Sequence, residues 1–447
     1  MIAFLDILTL IISAIYGIKV YRKKASSGRL IVYFMFFFIC VIPLALDYII
    51  GLPDYTLYNT NGRYGGFIKS FNDFETRAFY DLFLLMTQFI IINCCKKKRI
   101  RIKVLKKNEF HYRNNALNGF NNNMTSFKEE VLANSMRMVC FLFAVFPVLL
   151  SLVFGAYEIL FAFGWRDYHF FENITNSGWY SFAERFSYLG VTAAILLIIM
   201  KYEKKNLWTA FLRILAFVFL LMNMCIESKR SIIFFALIIA LAVLLYCRNV
   251  NLKIIVIVAL ISASIVVIYS IFVKTTLRNY SGFEGIYSAL RVDMFRDDTI
   301  KFCIYSMLHP DEIKILDFPF QSYLSQIKYF FFIDILVGKF KLFNLPGVGF
   351  NRYLSSALIG RDISAGYSYM TTSIFDEAIA NFGFLGFIFA PFVCAKVSYM
   401  IDQAESLEKI LLIGSIVLAM MYSPNYILLY IECTFIVGLI KKIRIGD

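Results

Sequence analysis

The sequence predicts an all-α, polytopic integral membrane protein with about eleven transmembrane helices (10–12) and a large outward loop ahead of the last three. Composition predicts the class. Of 447 residues, 60% are hydrophobic and 17% charged, with a mean hydropathy of +0.68. Soluble domains run near ~45–50% apolar with about a quarter charged. The length of the apolar runs predicts the spans, and the placement of basic residues predicts their direction. A soluble enzyme, a nucleic-acid binder and a disordered scaffold are excluded. The net charge of +14 sits mostly in short loops between apolar runs, where it reports topology rather than a nucleic-acid partner.

Apolar stretches occur at 2–20, 30–50, 78–95, 138–162, 184–200, 207–226, 231–247, 254–273, 373–395, 409–424 and 425–440. The first, MIAFLDILTLIISAIYGIKVYRKK, lacks a basic leader and a small-residue cleavage site, so it reads as a span rather than a removed signal. The last two are short and meet at YSPNY (422–426), where one hairpin with a tight Pro turn is the other reading. YRKKASSGR (21–29) carries four basic residues and no acid, and 96–136 carries ten Lys/Arg against three acids. With KYEKK (201–205), Arg248 and Lys253, and KKIR (441–444), all the basic loops fall inside if the N-terminus is outside and the C-terminus inside. The chain then divides into an N-terminal bundle of about eight spans over 1–273 with the basic loop 96–136, a large outward loop over 274–372, and C-terminal spans over 373–447.

The long loop holds eleven Lys/Arg and nine acids with aromatic residues throughout, so it is expected to fold. Within it, SQIKYFFFIDILVGKFKLF (325–343) is either a helix lying in the membrane interface or a packing helix of the loop. Most of the nine Cys lie inside apolar runs (Cys40, Cys140, Cys225, Cys394, Cys433), and Cys303 has no obvious partner in the loop. They read as core residues, not a disulfide framework. The three His (111, 169, 309) are scattered, and no Cys/His spacing suits zinc.

The informative residues are cations on the wrong side. Glu227-Ser-Lys-Arg-Ser231 faces outward between two spans. Lys229 and Arg230, with the N–H groups that open the next helix, can bind an anion such as a pyrophosphate head group. Otherwise they are snorkelling cations that cap a hairpin. The loop adds Arg278, Arg291, Arg296, Arg352 and Arg361. In 287–302 the arginines alternate with Asp293, Asp297 and Asp298, which makes either structural ion pairs or a cationic cavity wall. Asp376 and Glu377 stand just inside the apolar helix at 373–395, where carboxylates are costly and often functional. Glu377 serves either as a general base or acceptor contact, or as an anchor for a loop Arg. Asn381 shares its helical face, and Gly383 and Gly386 permit close packing. His309, in SMLHPDE, is a proton-transfer candidate or a surface residue at a turn.

This pattern resembles the bacterial O-antigen polymerases of the Wzy type and the related O-antigen ligases. In those families a segment H-[N/S/Q]-x9-G-x-x-G follows the large loop. Here the aligned stretch is Thr372-Ser373, nine residues, then Gly383-Phe-Leu-Gly386, with Thr372 in the His position. PGVGFNRY (346–353) resembles the Gly-rich stretch before that motif, and ESKRS (227–231) the family's basic turn. The resemblance covers residues 220–395. It implies a multi-pass protein of the bacterial inner membrane, active on the periplasmic face. The implied substrate is an undecaprenyl-pyrophosphate-linked oligosaccharide, whose repeat units would be joined into surface polysaccharide without nucleotide sugar, cofactor or metal. Further implied partners are membrane lipids and a chain-length regulator, and no nucleic acid. Lys229, Arg230 and the loop arginines would neutralise the leaving pyrophosphate, with Glu377, Asp376 or His309 as candidate catalytic groups. A lipid-linked oligosaccharide flippase, the ligase and an acyltransferase are the other classes considered.

Overall fold

The computed structural model describes residues 2–22, 27–52, 65–94, 137–153, scattered positions from 183 to 198, 207–227, 287, 291, 295–327, 349–365, 370–403, 406–424 and 427. Every regular element among them is helical, with no strand. The expected spans at 231–247, 254–273 and 425–440 fall almost wholly outside these residues. Among the described residues, three stretches are long and apolar enough to cross a membrane: Ile2–Val20, Gly28–Ile49 and Ile374–Gln403. Each coincides with an expected span. By contact the chain parts into two compact units, one of residues 1–95 with 241–447 and one of residues 96–240.

The first unit opens with α1, Ile2–Arg22. Its exposed side is Phe4, Ile7, Leu8, Ile11, Ile15 and Ile18, whereas Asp6, Thr9 and Ser13 are buried. That inverts a water-soluble helix and is the arrangement lipid demands. The buried polar side meets α5, Phe74–Asn93. Arg77 and Tyr48 both donate to Asp6 Oδ2, and Gln88 Nε2 donates to Ser13 Oγ over 2.7 Å. Asp73 caps α5 by accepting from Thr76 N at 2.8 Å, which relieves one orphan N–H.

The second apolar stretch is α2, Ser27–Phe36, a π-helical segment Phe37–Val41, and α3, Ile42–Ile49. Pro43 explains the interruption. Its nitrogen has no hydrogen to give Ile39 O, four residues back, so the turn widens. Two carbonyls of the wide turn are taken by other elements: Ile39 O by Arg296 N at 3.0 Å and Cys40 O by Tyr80 Oη at 2.7 Å.

Helix α4, Gly65–Asn72, precedes α5. In the second unit, α6, Arg137–Val153, and α7, Leu207–Glu227, are tied by Asn223 Nδ2, which donates to Ala144 O at 2.8 Å. Back in the first unit, α8, Asp297–Leu308, packs on α4 and α5. The short α9, Gln321–Ile327, and α10, Phe350–Ile359, touch each other. The chain then runs through α11, Ile374–Phe382, α12, Gly386–Gln403, and α13, Ser406–Met421.

One helix was expected over 373–395, but the structure divides it. Gly383, at φ +58, ends α11, and the 3-10 turn Gly383–Leu385 leads into α12. Gly386 lets the two helices cross closely: a Cβ there would lie 2.5 Å from Ala378 O. Helix α12 packs on α2 and α5, and α11 packs on α8. Phe36, Phe83 and Phe375 pack edge-to-face at their junction, a preferred aromatic geometry.

Candidate functional site

The first turn of α8 carries Asp297 and Asp298, placed where a helix N-terminus favours negative charge. Arg291 reaches back to it. Its guanidinium binds Asp297 with two nitrogens, Nε to Oδ1 at 3.3 Å and Nη2 to Oδ2. Nη1 also donates to Asp47 Oδ1 at 2.6 Å and to Tyr287 Oη at 2.7 Å. Lys301, one turn after Asp297, closes the ring, with Nζ 3.1 Å from Asp297 Oδ2 and 3.7 Å from Asp47 Oδ2. The same ammonium lies 3.9 Å from the centre of the Phe71 ring, a cation–π contact. Two cations and two carboxylates thus alternate in a ring, a third carboxylate, Asp298, lies 3.9 Å from Arg291 Nε, and Arg291 and Asp297 are wholly buried. Burial alone would raise the Asp297 carboxyl, but Arg291 and then Lys301 outweigh it and hold the group below its ordinary value. Arg296 is buried as well. Its Nε donates to Met421 O at 2.7 Å and its backbone N–H to Ile39 O, so it joins the start of α8 to α13 and to the wide turn.

Asp376 and Glu377 are fully buried in the first turn of α11. Ser373 and Asp376 form a capping box, with Asp376 Oδ1 accepting from Ser373 N at 2.6 Å. Glu377 Oε1 accepts from Ser322 Oγ at 2.7 Å, and Asn381 Nδ2 donates to the same hydroxyl at 2.7 Å. The expected common face of Glu377 and Asn381 is present, and it holds α9 against α11. Thr372 is buried too, with Oγ1 donating to Tyr422 O at 2.6 Å. His309 follows α8, where Nε2 stands 3.5 Å from Asp73 Oδ2 and the ring lies on Tyr305.

A cleft of about 710 Å³ opens between the end of α8, α9 and α10. Arg352, Tyr353 and Ser356 of α10 line it, and Arg361 follows past the left-handed Gly360. Glu312, Lys314, Asp317, Gln321 and Asp362 complete its polar wall. Three cations and three carboxylates therefore face one space. Burial, then the hydrogen bond it donates to Glu312, pushes the Tyr305 phenol up to about 12. The same bond, with Lys69 beside it, holds Glu312 below its ordinary value. Gln321 lies on the cleft, and the next residue, Ser322, binds Glu377. The carboxylates of Asp376 and Glu377 are not among the lining side chains.

Of the expected site residues, Arg291 and Arg296 come together in the buried frame, and Arg352 and Arg361 in the cleft. Lys229, Arg230 and Arg278 lie outside the described residues, as do Asp293 and most of the expected interfacial helix at 325–343. Asp47 and Lys301 were missed. Asp47 stood near the end of an apolar span, and a carboxylate there was a signal in itself. Lys301 follows Asp297 by four residues, the spacing of a helical ion pair. Among the described residues, no group of three His, Cys, Asp or Glu converges to hold a metal ion. No protein-family model, curated protein or solved structure matches this chain.

Proposed function

We propose that this protein is a membrane-embedded polymerase that joins lipid-pyrophosphate-linked oligosaccharide repeat units on the outer face of a bacterial inner membrane. The observation that carries the reading is the cleft between α9 and α10, whose three cations and three carboxylates stand in the same unit as helices long enough to span a bilayer. Sugars present donors and acceptors together, and a wall of mixed sign satisfies both. The sequence resemblance over 220–395 supports the same class.

In this reading an acceptor hydroxyl attacks the anomeric carbon of the donor glycan. The new glycosidic C–O bond forms as the C–O bond to the lipid pyrophosphate breaks, and the hydroxyl proton passes to a carboxylate of the cleft. The leaving pyrophosphate takes the electron pair and needs positive charge. From the sequence resemblance, Lys229, Arg230 and Arg278 are assigned to it, and Arg352 and Arg361 to the glycan. The eleven-span topology, the outward orientation of the cleft and partnership with a chain-length regulator belong to the same proposal. Asp376 and Glu377 serve as positioning residues that hold α9 and α11 in register, and His309 ties the end of α8 to α5.

The test uses the full chain in nanodiscs with lipid-pyrophosphate-linked repeat units from its own host, read as product length on a gel. A ladder of multiples formed without nucleotide sugar, and lost in Arg230→Ala at equal protein level, is the expected result. Unchanged substrate overturns the reading. A second reading, a lipid-linked oligosaccharide transporter, draws on Asp6, Asp81 and Arg77 between α1 and α5, of which both carboxylates are buried. Movement of the same lipid across a vesicle without polymer would favour it.

A further inference from the structure

The carboxylates of the cleft already have partners. Glu312 is held by Tyr305 Oη at 2.8 Å and Lys69 Nζ at 3.2 Å. Asp317 accepts from Gln321 Nε2 at 3.2 Å and lies 3.8 Å from Lys314. Asp362 accepts from Ser364 N at 2.7 Å. Arg352 differs: among the described residues its guanidinium forms no hydrogen bond and no ion pair. One turn along α10, Ser356 is 3% exposed and its Oγ has no hydrogen-bond partner. Residues four apart on a helix lie on one face, about 5–6 Å between Cβ atoms. The cleft therefore presents an unused planar cationic fork beside an unused buried hydroxyl.

We propose that the cleft between α9 and α10 binds a sugar carrying a carboxylate, with Arg352 taking the carboxylate and Ser356 Oγ a neighbouring ring hydroxyl. An unpaired guanidinium favours an anion with two parallel oxygens. The engaged carboxylates on the same wall make the space costly for a phosphate dianion and tolerable for a monoanion. The remaining lining matches a sugar ring: Tyr353, whose hydroxyl is 2.7 Å from Ser325 Oγ, adds an aromatic side chain, and Ile313, Ile315 and Ala357 add apolar surface. A cleft of about 710 Å³ lies within the ~300–1,000 Å³ of ordinary ligand sites, enough for a short oligosaccharide. The glycan nature of the occupant rests on the proposed function, and the carboxylate assignment rests on Arg352 and Ser356.

The test is direct binding to the full chain in nanodiscs by calorimetry, which needs no turnover. The probes are a glucuronate-containing tetrasaccharide, the same tetrasaccharide with its carboxylate reduced to the alcohol, and inorganic phosphate. The acidic sugar should bind at least tenfold more tightly than the neutral one, and Arg352→Ala should abolish that difference while Arg352→Lys keeps part of it. Arg352→Gln, checked for an unchanged melting temperature, serves if the alanine variant does not fold. Equal affinity for both sugars, a preference that survives loss of Arg352, or phosphate displacing the acidic sugar at equal concentration overturns the proposal. Arg352-dependent acidic binding without a polymer ladder would sink the polymerase reading and leave this one standing. A ladder with no acidic preference would do the reverse.

Discussion

Replacing Arg291 with Met should destabilise the protein by about 3–5 kcal/mol, the cost of removing one partner from a buried ion pair. The structure gives the reason. Arg291 is wholly buried and binds Asp47, Asp297 and Tyr287 at once. Without it, Asp47 and Asp297 share one cation, Lys301, and Asp298 loses the guanidinium 3.9 Å away, so negative charge is left uncompensated in the interior. At about 4 Å and an effective dielectric near 20, each lost attraction is worth about 4 kcal/mol before desolvation is subtracted, and the desolvation of Arg291 that is no longer incurred offsets a large part of the sum. Four kcal/mol is about a thousandfold in the unfolding constant. At about 2 °C per kcal/mol the melting midpoint falls by roughly 6–10 °C. Heating purified protein in detergent and counting the monodisperse fraction by size-exclusion chromatography reads this directly. Pairing Arg291→Met with Asp297→Asn removes one charge of each sign, leaving Asp47 with Lys301, and should recover part of the loss. A single variant that melts with the wild type would refute the reasoning, since the ring could then not be supporting the fold. So would a double variant whose loss equals the sum of the two singles.

Other consequences can be checked on the same preparation. Ser322→Ala removes the hydroxyl that Glu377 and Asn381 share and should cost about 1–3 kcal/mol, seen as a lower midpoint and faster proteolysis near α9. Gly386→Val drives a side chain into Ala378 O and should cost about 1–3 kcal/mol or more, read as loss of monodisperse protein, whereas Gly51→Ala meets no neighbour within 4 Å and costs only the backbone strain of its φ of +109. Asp297 titrates lower in the folded protein than in the unfolded chain, so its contribution is complete above the unfolded value and disappears as pH falls through the folded one. The melting midpoint should therefore be insensitive to this group from pH 7 to about 5 and fall below about pH 4. Asp297→Asn should flatten that acid limb.

The helices at 2–20, 30–50 and 78–95 were legible because apolar runs of that length have few other uses. The capping of α11 was partly legible as well, since Ser373 and Asp376 stand at the spacing of a capping box. What the sequence did not disclose was where the charges of 287–302 go. Alternating Arg and Asp are compatible with a cavity wall and with structural ion pairs, and the choice between them depends on Asp47, some 240 residues away in the chain. Ion pairing across that separation leaves no local periodicity. The break after Phe382 was hidden for a different reason: Gly383 and Gly386 fit a continuous, closely packed helix as well as a turn, and only the left-handed φ of Gly383 decides. The cleft was invisible because its walls come from segments spaced along 312–364 that no motif unites.

The wide turn at Phe37–Val41 also sets the phase of the helix that contains it. An α-helix advances about 100° per residue, and a π-turn absorbs one extra residue without lengthening the α-helical register on either side. Tyr33 and Phe36, before the turn, and Leu44 and Asp47, after it, therefore keep the phase of a continuous α-helix one residue shorter. The upstream pair is set toward Gln88 and Phe375, and Asp47 toward Arg291. Deleting a single residue between 37 and 41 would leave composition and hydropathy almost untouched. It would take out the residue that the wide turn absorbs and return the segment to an α-helical period, in which the carbonyls of Ile39 and Cys40 no longer turn out toward Arg296 N and Tyr80 Oη. The helix would still be long and apolar enough to cross a membrane, but the hydrogen bonds that join it to α5 and to the start of α8 would lose their acceptors.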